Sequence, residues 1–246
     1  MNYDSKTKKN YPIIILHGWG LRGSAYKDIE GSLKKEGYKV YAIDLPGFGA
    51  EPLGKKVMTL ADYVTFVDAF IQKKKLKKVI LLGHSFGGRV SIKFAVTFTT
   101  KVSAIILTGA PGIKRKLSFF RQTVRFAALC VGEIFRISAL SGAKKIMRKG
   151  LYFIIGEWDY YNAGDLRETF KKVIGEDLSP LLSSISVPTL LVWGNNDMIV
   201  PVVDGYAMKN LIPKARLVVI NDRGHKLPYE APSEFLGAIE PFLNNI

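Results

Sequence analysis

The chain has 246 residues, 48% apolar and 23% charged, the balance of a soluble globule with one sizeable core. One cysteine, Cys130, excludes an internal disulfide, and three histidines beside it form no metal-ligand spacing, so neither metal nor cofactor is expected. The net charge of +15, with runs such as Lys73-Lys74-Lys75, Lys77-Lys78, Lys114-Arg115-Lys116 and Lys144-Lys145, predicts a well-solvated surface or a weak attraction to anionic lipid or an acidic carrier protein; no nucleic-acid-binding signature accompanies it.

Met1 to Asn10 is polar and lacks the apolar stretch of a signal peptide, and no run reaches the roughly 18 residues of a membrane span, so a cytoplasmic location is expected. The first buried strand is Pro12 to His17, ending in the Gly-rich loop His17-Gly18-Trp19-Gly20. Gly23-Ser24 opens an amphipathic helix through about Lys35, closed by Gly37. A second strand runs from Tyr38 to Ile43, and a helix from about Asp62 to Lys74 is entered through Thr59 as N-cap. Val79 to Leu82 is a continuous apolar strand, the pattern of a central parallel strand covered on both faces. Further strands are expected at Ser103 to Thr108, Val187 to Gly194 and Ala215 to Asn221, with helices near Val202 to Leu211 and from Ser233, as N-cap, to Leu243. Strands alternating with helices mean βαβ units in a mostly parallel sheet, whose ligands lie outside the carboxyl ends of the strands.

The alternation breaks between about Ile113 and Ser186. Phe119, Phe120, Val124, Phe126, Ala127, Leu129, Ile134 and Phe135 have helical spacing, with Arg115, Arg121, Arg125 and Arg136 interleaved, and Asp165 to Val173 reads as a short helix. The expected division is therefore a core at 1–112 and 184–246 with a helical cap at 113–183, inserted between the fourth and fifth strands.

The chemistry centres on Gly83-His84-Ser85-Phe86-Gly87-Gly88, a G-x-S-x-G turn between a strand and a helix. Such a turn forces its serine into a positive-φ conformation and crowds out a Cβ at Gly83 and Gly87, lifting the Ser85 hydroxyl to a helix N-terminus. A serine needs a base, and the base needs an orienting group. His84 adjoins Ser85 and should point to the opposite face of the strand. His17 is better placed to shape the loop it shares with Gly18. That leaves His225, just past the last strand, as the base. Asp197, in the loop after the fifth strand, is the preferred orienting acid, with Asp222 as a rival close to His225, while Asp204 looks like a helix cap. Oxyanion donors are expected from the backbone N–H of Phe86 and of Trp19.

Ile14-Ile15-Leu16-His17-Gly18-Trp19, Asp44-Leu45-Pro46-Gly47-Phe48-Gly49, the Ser85 motif, Gly194-Asn195-Asn196-Asp197 and Gly224-His225 together resemble the successive signatures of the α/β-hydrolase fold. The resemblance implies Ser85 as nucleophile, Asp197 as acid, His225 as base and the insertion as a cap. The His-Gly motif comes too early for the antiparallel hairpin usual in the family, which predicts a shortened, all-parallel sheet of six strands. Family members that open epoxides or remove halide resemble one another in carrying Asp at the elbow, so Ser85 points instead to hydrolysis of a carboxylic ester, with an apolar acyl part suggested by the Phe-rich insertion. Carbon–carbon bond hydrolysis, thioester or carrier-linked ester hydrolysis, and a non-turnover small-molecule receptor of the same fold stay open.

Overall fold

The computed structural model describes residues 11–113 and 164–246. The expected helical stripe from Phe119 to Phe135, with its arginines, and the segment Met1 to Asn10 lie outside the described residues. Six parallel strands form one sheet: β1 (Ile13–Leu16), β2 (Val40–Ile43), β3 (Val79–His84), β4 (Val102–Thr108), β5 (Thr189–Gly194) and β6 (Ala215–Ile220), in the order β2-β1-β3-β4-β5-β6. The chain turns outward from β1 to β2 and then crosses back to β3. The order reverses between β1 and β3, and a crevice at the carboxyl edge forms at such a switch point. The all-parallel sheet of six strands follows the expectation from the early His-Gly motif.

The strands are apolar without alternation because both faces are covered. Ile14, Leu16, Leu81, Ile105, Leu107 and Leu191 face one core, shared with α2 (Leu60–Lys73) and α3 (Phe86–Thr97). Ile13, Ile15, Ile80, Leu82, Ile106 and Val192 face the other, shared with α1 (Lys27–Lys35). Leu16 pairs with Gly83, Gly83 with Leu107, Thr108 with Val192, and Gly194 with Ile220. This register brings the loops that follow the strands to one edge.

After β4, residues 114–163 intervene in sequence before α4 (Arg167–Gly175) and α5 (Ser179–Leu182), which lead to β5. The helix read from Asp165 is present, entered by a 3-10 turn at Gly164–Leu166. Helix α6 (Val202–Leu211) links β5 to β6, and α7 (Leu227–Glu230) and α8 (Pro232–Leu243) follow. Thr59 caps α2 through a reciprocal box with Asp62. Two expected caps differ. Asp204 lies inside the first turn of α6, where its charge complements the helix dipole, and Pro201 precedes the helix. Ala231 rather than Ser233 flanks α8, because Pro232 occupies the first helical position, where its missing N–H costs nothing. No helix among the described residues is long and apolar enough to cross a membrane.

Candidate active site

Ser85 caps α3 with φ 51° and ψ −112°, a region that a residue with a side chain enters only when its surroundings hold it there. Its N–H donates to the Thr108 carbonyl (2.9 Å), and the Gly87 N–H donates to the His17 carbonyl (3.0 Å), so the turn is fastened to β4 on one side and the β1 loop on the other. A Cβ on Gly83 would stand 2.5 Å from Ser91 Oγ and 2.6 Å from the Gly87 carbonyl, and one on Gly87 would run into the Leu16 carbonyl. Both positions must therefore be glycine for the strand to meet the helix so abruptly.

His225 and Asp197 meet at the same edge, with His225 Nδ1 2.8 Å from Asp197 Oδ2. Asp197 is buried, and its other oxygen accepts the Ile199 and Val200 N–H groups at 2.9 and 2.8 Å, which fixes the carboxylate toward the imidazole. The two loops are knit by Asn195 N–H to the Ile220 carbonyl (3.0 Å) and Asn196 N–H to the Arg223 carbonyl (2.9 Å). Gly194 permits that approach, since a Cβ there would strike the Arg223 carbonyl. Asp222 is exposed in a left-handed turn (φ 56°), and it is Asp197 that meets Nδ1.

His17 is buried and takes the Leu45 N–H on Nε2 (3.0 Å), so its Nδ1–H donates to the Gly18 carbonyl (2.8 Å). Burial holds its pKa below the ordinary histidine value, which keeps the ring neutral in this role. The loop it shapes carries Trp19, whose ring meets Phe48 (5.0 Å), Phe86 (5.3 Å) and Phe170 (4.8 Å) edge-on. The backbone N–H groups of Trp19 and Phe86 donate to no acceptor among the described residues. Phe86 opens α3, where an N–H has no partner inside the helix.

The sequence reading missed two residues here. Arg89, 5% exposed, donates to the carbonyls of Val173 (3.1 Å), Pro111 and Glu176. It thus joins α3 to the chain on both sides of residues 114–163. Burial lowers its pKa to about 10, so it remains a cation at neutral pH. The available signal was a charged residue on the otherwise buried face of α3. His84, set aside beside Ser85, has both ring nitrogens engaged: Nδ1 lies 2.6 Å from Tyr26 Oη and Nε2 lies 2.9 Å from the His225 carbonyl.

Comparison with known proteins bears on the family and the fold. Residues 13–238 match the model of the alpha/beta hydrolase family. Over 94% of this chain and 86% of its own length, a 2-hydroxy-6-oxononadienedioate/2-hydroxy-6-oxononatrienedioate hydrolase from Escherichia coli O81 (strain ED1a) is 24% identical. A thermophilic esterase from Thermogutta terrifontis superposes with a TM-score of 0.72 at 25% identity, covering 96% of this chain and 90% of the other. An esterase from Exiguobacterium antarcticum shares the fold with a TM-score of 0.74 at 22% identity, covering 95% and 92%. With the match running from β1 into α8, the chain belongs to the alpha/beta hydrolase family.

Proposed function

We propose that this hydrolase cleaves carboxylic esters through an acyl-Ser85 intermediate. The observation that carries the reading is the part-buried Asp197–His225 pair at the rim where the strained Ser85 turn emerges. With Nδ1 committed to Asp197, His225 Nε2 takes the Ser85 proton as Oγ attacks the ester carbonyl, and Asp197 stabilises the imidazolium that forms. The N–H groups of Trp19 and Phe86 receive the oxyanion, and losing one such donor typically costs about 10²–10³ in rate. His225 then protonates the departing alcohol, and water repeats the sequence to release the acid. The rings of Trp19, Phe48, Phe86 and Phe170 beside this loop support an apolar acyl part. Residues 113–183 form the cap in this reading, and the Arg89 bonds to Pro111, Val173 and Glu176 support anchoring of that insertion on α3.

A p-nitrophenyl ester series tests the activity. Turnover of the wild type that Ser85→Ala abolishes is the expected result; tight binding with at most one slow turnover favours a receptor instead. The E. coli relative is named as a hydrolase of 2-hydroxy-6-oxo dioic acids, which favours carbon–carbon bond hydrolysis on the same residues as the second reading. Cleavage of such a dioic acid without ester turnover would select it. Activity on an acidic carrier that salt removes would favour the carrier-linked ester.

A further inference from the structure

We propose that His84 and Tyr26 are positioning residues that lock the base loop to the oxyanion loop through one hydrogen-bond chain. The inference rests on the acyl-Ser85 reading. The chain runs from Gly18 N–H to Tyr26 Oη (3.3 Å), from Tyr26 to His84 Nδ1 (2.6 Å), and from His84 Nε2 to the carbonyl of His225 (2.9 Å). Its polarity is set by its ends. A carbonyl only accepts, so Nε2 carries the proton and donates to His225; Nδ1 is then a lone pair, and Tyr26 O–H donates to it. Tyr26 Oη is left to accept from Gly18 N–H, one residue before the Trp19 donor.

His225 is consequently held at two points. Asp197 fixes its ring at Nδ1, and His84 fixes its main chain at the carbonyl. The ring of His84 lies 4.9 Å from that of His225, centroid to centroid, and meets Tyr229 edge-on at 5.9 Å. The middle of the chain is buried: Tyr26 and His84 are each 1% exposed. A Cβ on Gly18 would stand 2.9 Å from His84 Nδ1, so the glycine of the loop admits the imidazole. Burial lowers the His84 pKa to about 3 and keeps the ring in the neutral tautomer that can donate and accept at once. The residue before the nucleophile thus does not act on the hydroxyl. It sets where the imidazole loop stands relative to the loop that receives the oxyanion.

The test measures kcat per Ser85 labelled by a fluorophosphonate, with p-nitrophenyl acetate as substrate, in His84→Leu, His84→Gln, Tyr26→Phe and the Tyr26→Phe/His84→Leu double variant. His84→Leu removes both bonds, and kcat per labelled site should fall about 10–100-fold with KM little changed, as expected for a catalytic group misplaced by a fraction of an ångström. Gln offers one donor and one acceptor and should restore most of the rate. Tyr26→Phe, which removes a single oxygen and keeps the ring, should lower kcat several-fold, and the double variant should be no slower than His84→Leu because both act in one chain. A stabilising role alone would lower Tm and the labelled fraction while leaving kcat per labelled site at the wild-type value, and that result in His84→Leu and Tyr26→Phe would overturn the assignment. If the wild type neither turns over esters nor takes the label, the esterase reading fails separately. The downfield proton resonance of His225 Nδ1–H then decides: it should be lost to exchange in folded Tyr26→Phe or His84→Leu, and its persistence in both overturns the assignment.

Discussion

Gly109 directly follows β4 at φ +52°, and a Cβ there would stand 2.8 Å from His225 Nδ1, 2.9 Å from His225 Cε1 and 3.2 Å from Asp197 Oδ2. Carbon atoms rest about 3.5 Å apart, so Gly109→Ala should push the imidazole back by roughly 0.6 Å, away from its carboxylate. Misplacement by 1 Å costs about 10²-fold, so kcat on p-nitrophenyl acetate should fall about 10–100-fold with KM nearly unchanged. Alanine also incurs about 1–2 kcal/mol for the left-handed backbone, which in a chain of this size lowers Tm by a few degrees. Gly164 is the matched control. It has φ +50°, but no atom of the described residues lies within 4 Å of its Cβ position. Gly164→Ala should therefore lose similar stability and no rate. Wild-type kcat in Gly109→Ala, or an equal loss of kcat in Gly164→Ala, would refute the reasoning that this glycine makes room for the acid–base pair.

Ser85→Gly should abolish turnover and raise Tm, because it relieves a non-glycine residue at φ 51° that costs about 1–3 kcal/mol; a calorimetric Tm at or below the wild type would contradict the strain. Asp197→Ala should lower kcat by about 10³–10⁴ while Asp222→Ala leaves it within about twofold, and the reverse pattern in steady-state kinetics would reassign the acid. Stability should fall in acid. His84 and His17 have pKa values depressed by burial, so as pH drops below about 6.5 the unfolded chain takes up protons that the folded chain refuses. With a folded value of about 3, His84 alone accounts for on the order of 2 kcal/mol lost between pH 7 and pH 5. Urea titrations at the two pH values measure this loss, which should shrink in His84→Gln; equal stability at both pH values would be inconsistent with a buried neutral imidazole.

Much of the architecture could be read from residues alone because of how parallel sheets are buried. Val79 to Leu82 and Leu190 to Trp193 have both faces covered, so each appears as an unbroken apolar run cut by a glycine at the site edge. The turn at Ser85 is legible for a related reason: Gly83 and Gly87 are dictated by contacts within a few residues or with the adjoining strand. What escaped depends on partners far along the chain. His84 meets Tyr26 across 58 positions and His225 across 141, and Arg89 reaches Val173 across 84. No local pattern distinguishes such residues from an incidental polar side chain. The entry to α8 failed for a local reason, since Ser233 is a good cap by type but Pro232 had already started the helix.

Fluorophosphonate labelling followed by mass spectrometry of the tagged peptide addresses most directly whether Ser85 is made reactive by His225 and Asp197. The expected result is a single tag on Ser85, formed rapidly in the wild type and at least about 10³-fold more slowly in His225→Ala. A tag on another residue, or a Ser85 labelling rate that His225→Ala leaves unchanged, would contradict the account.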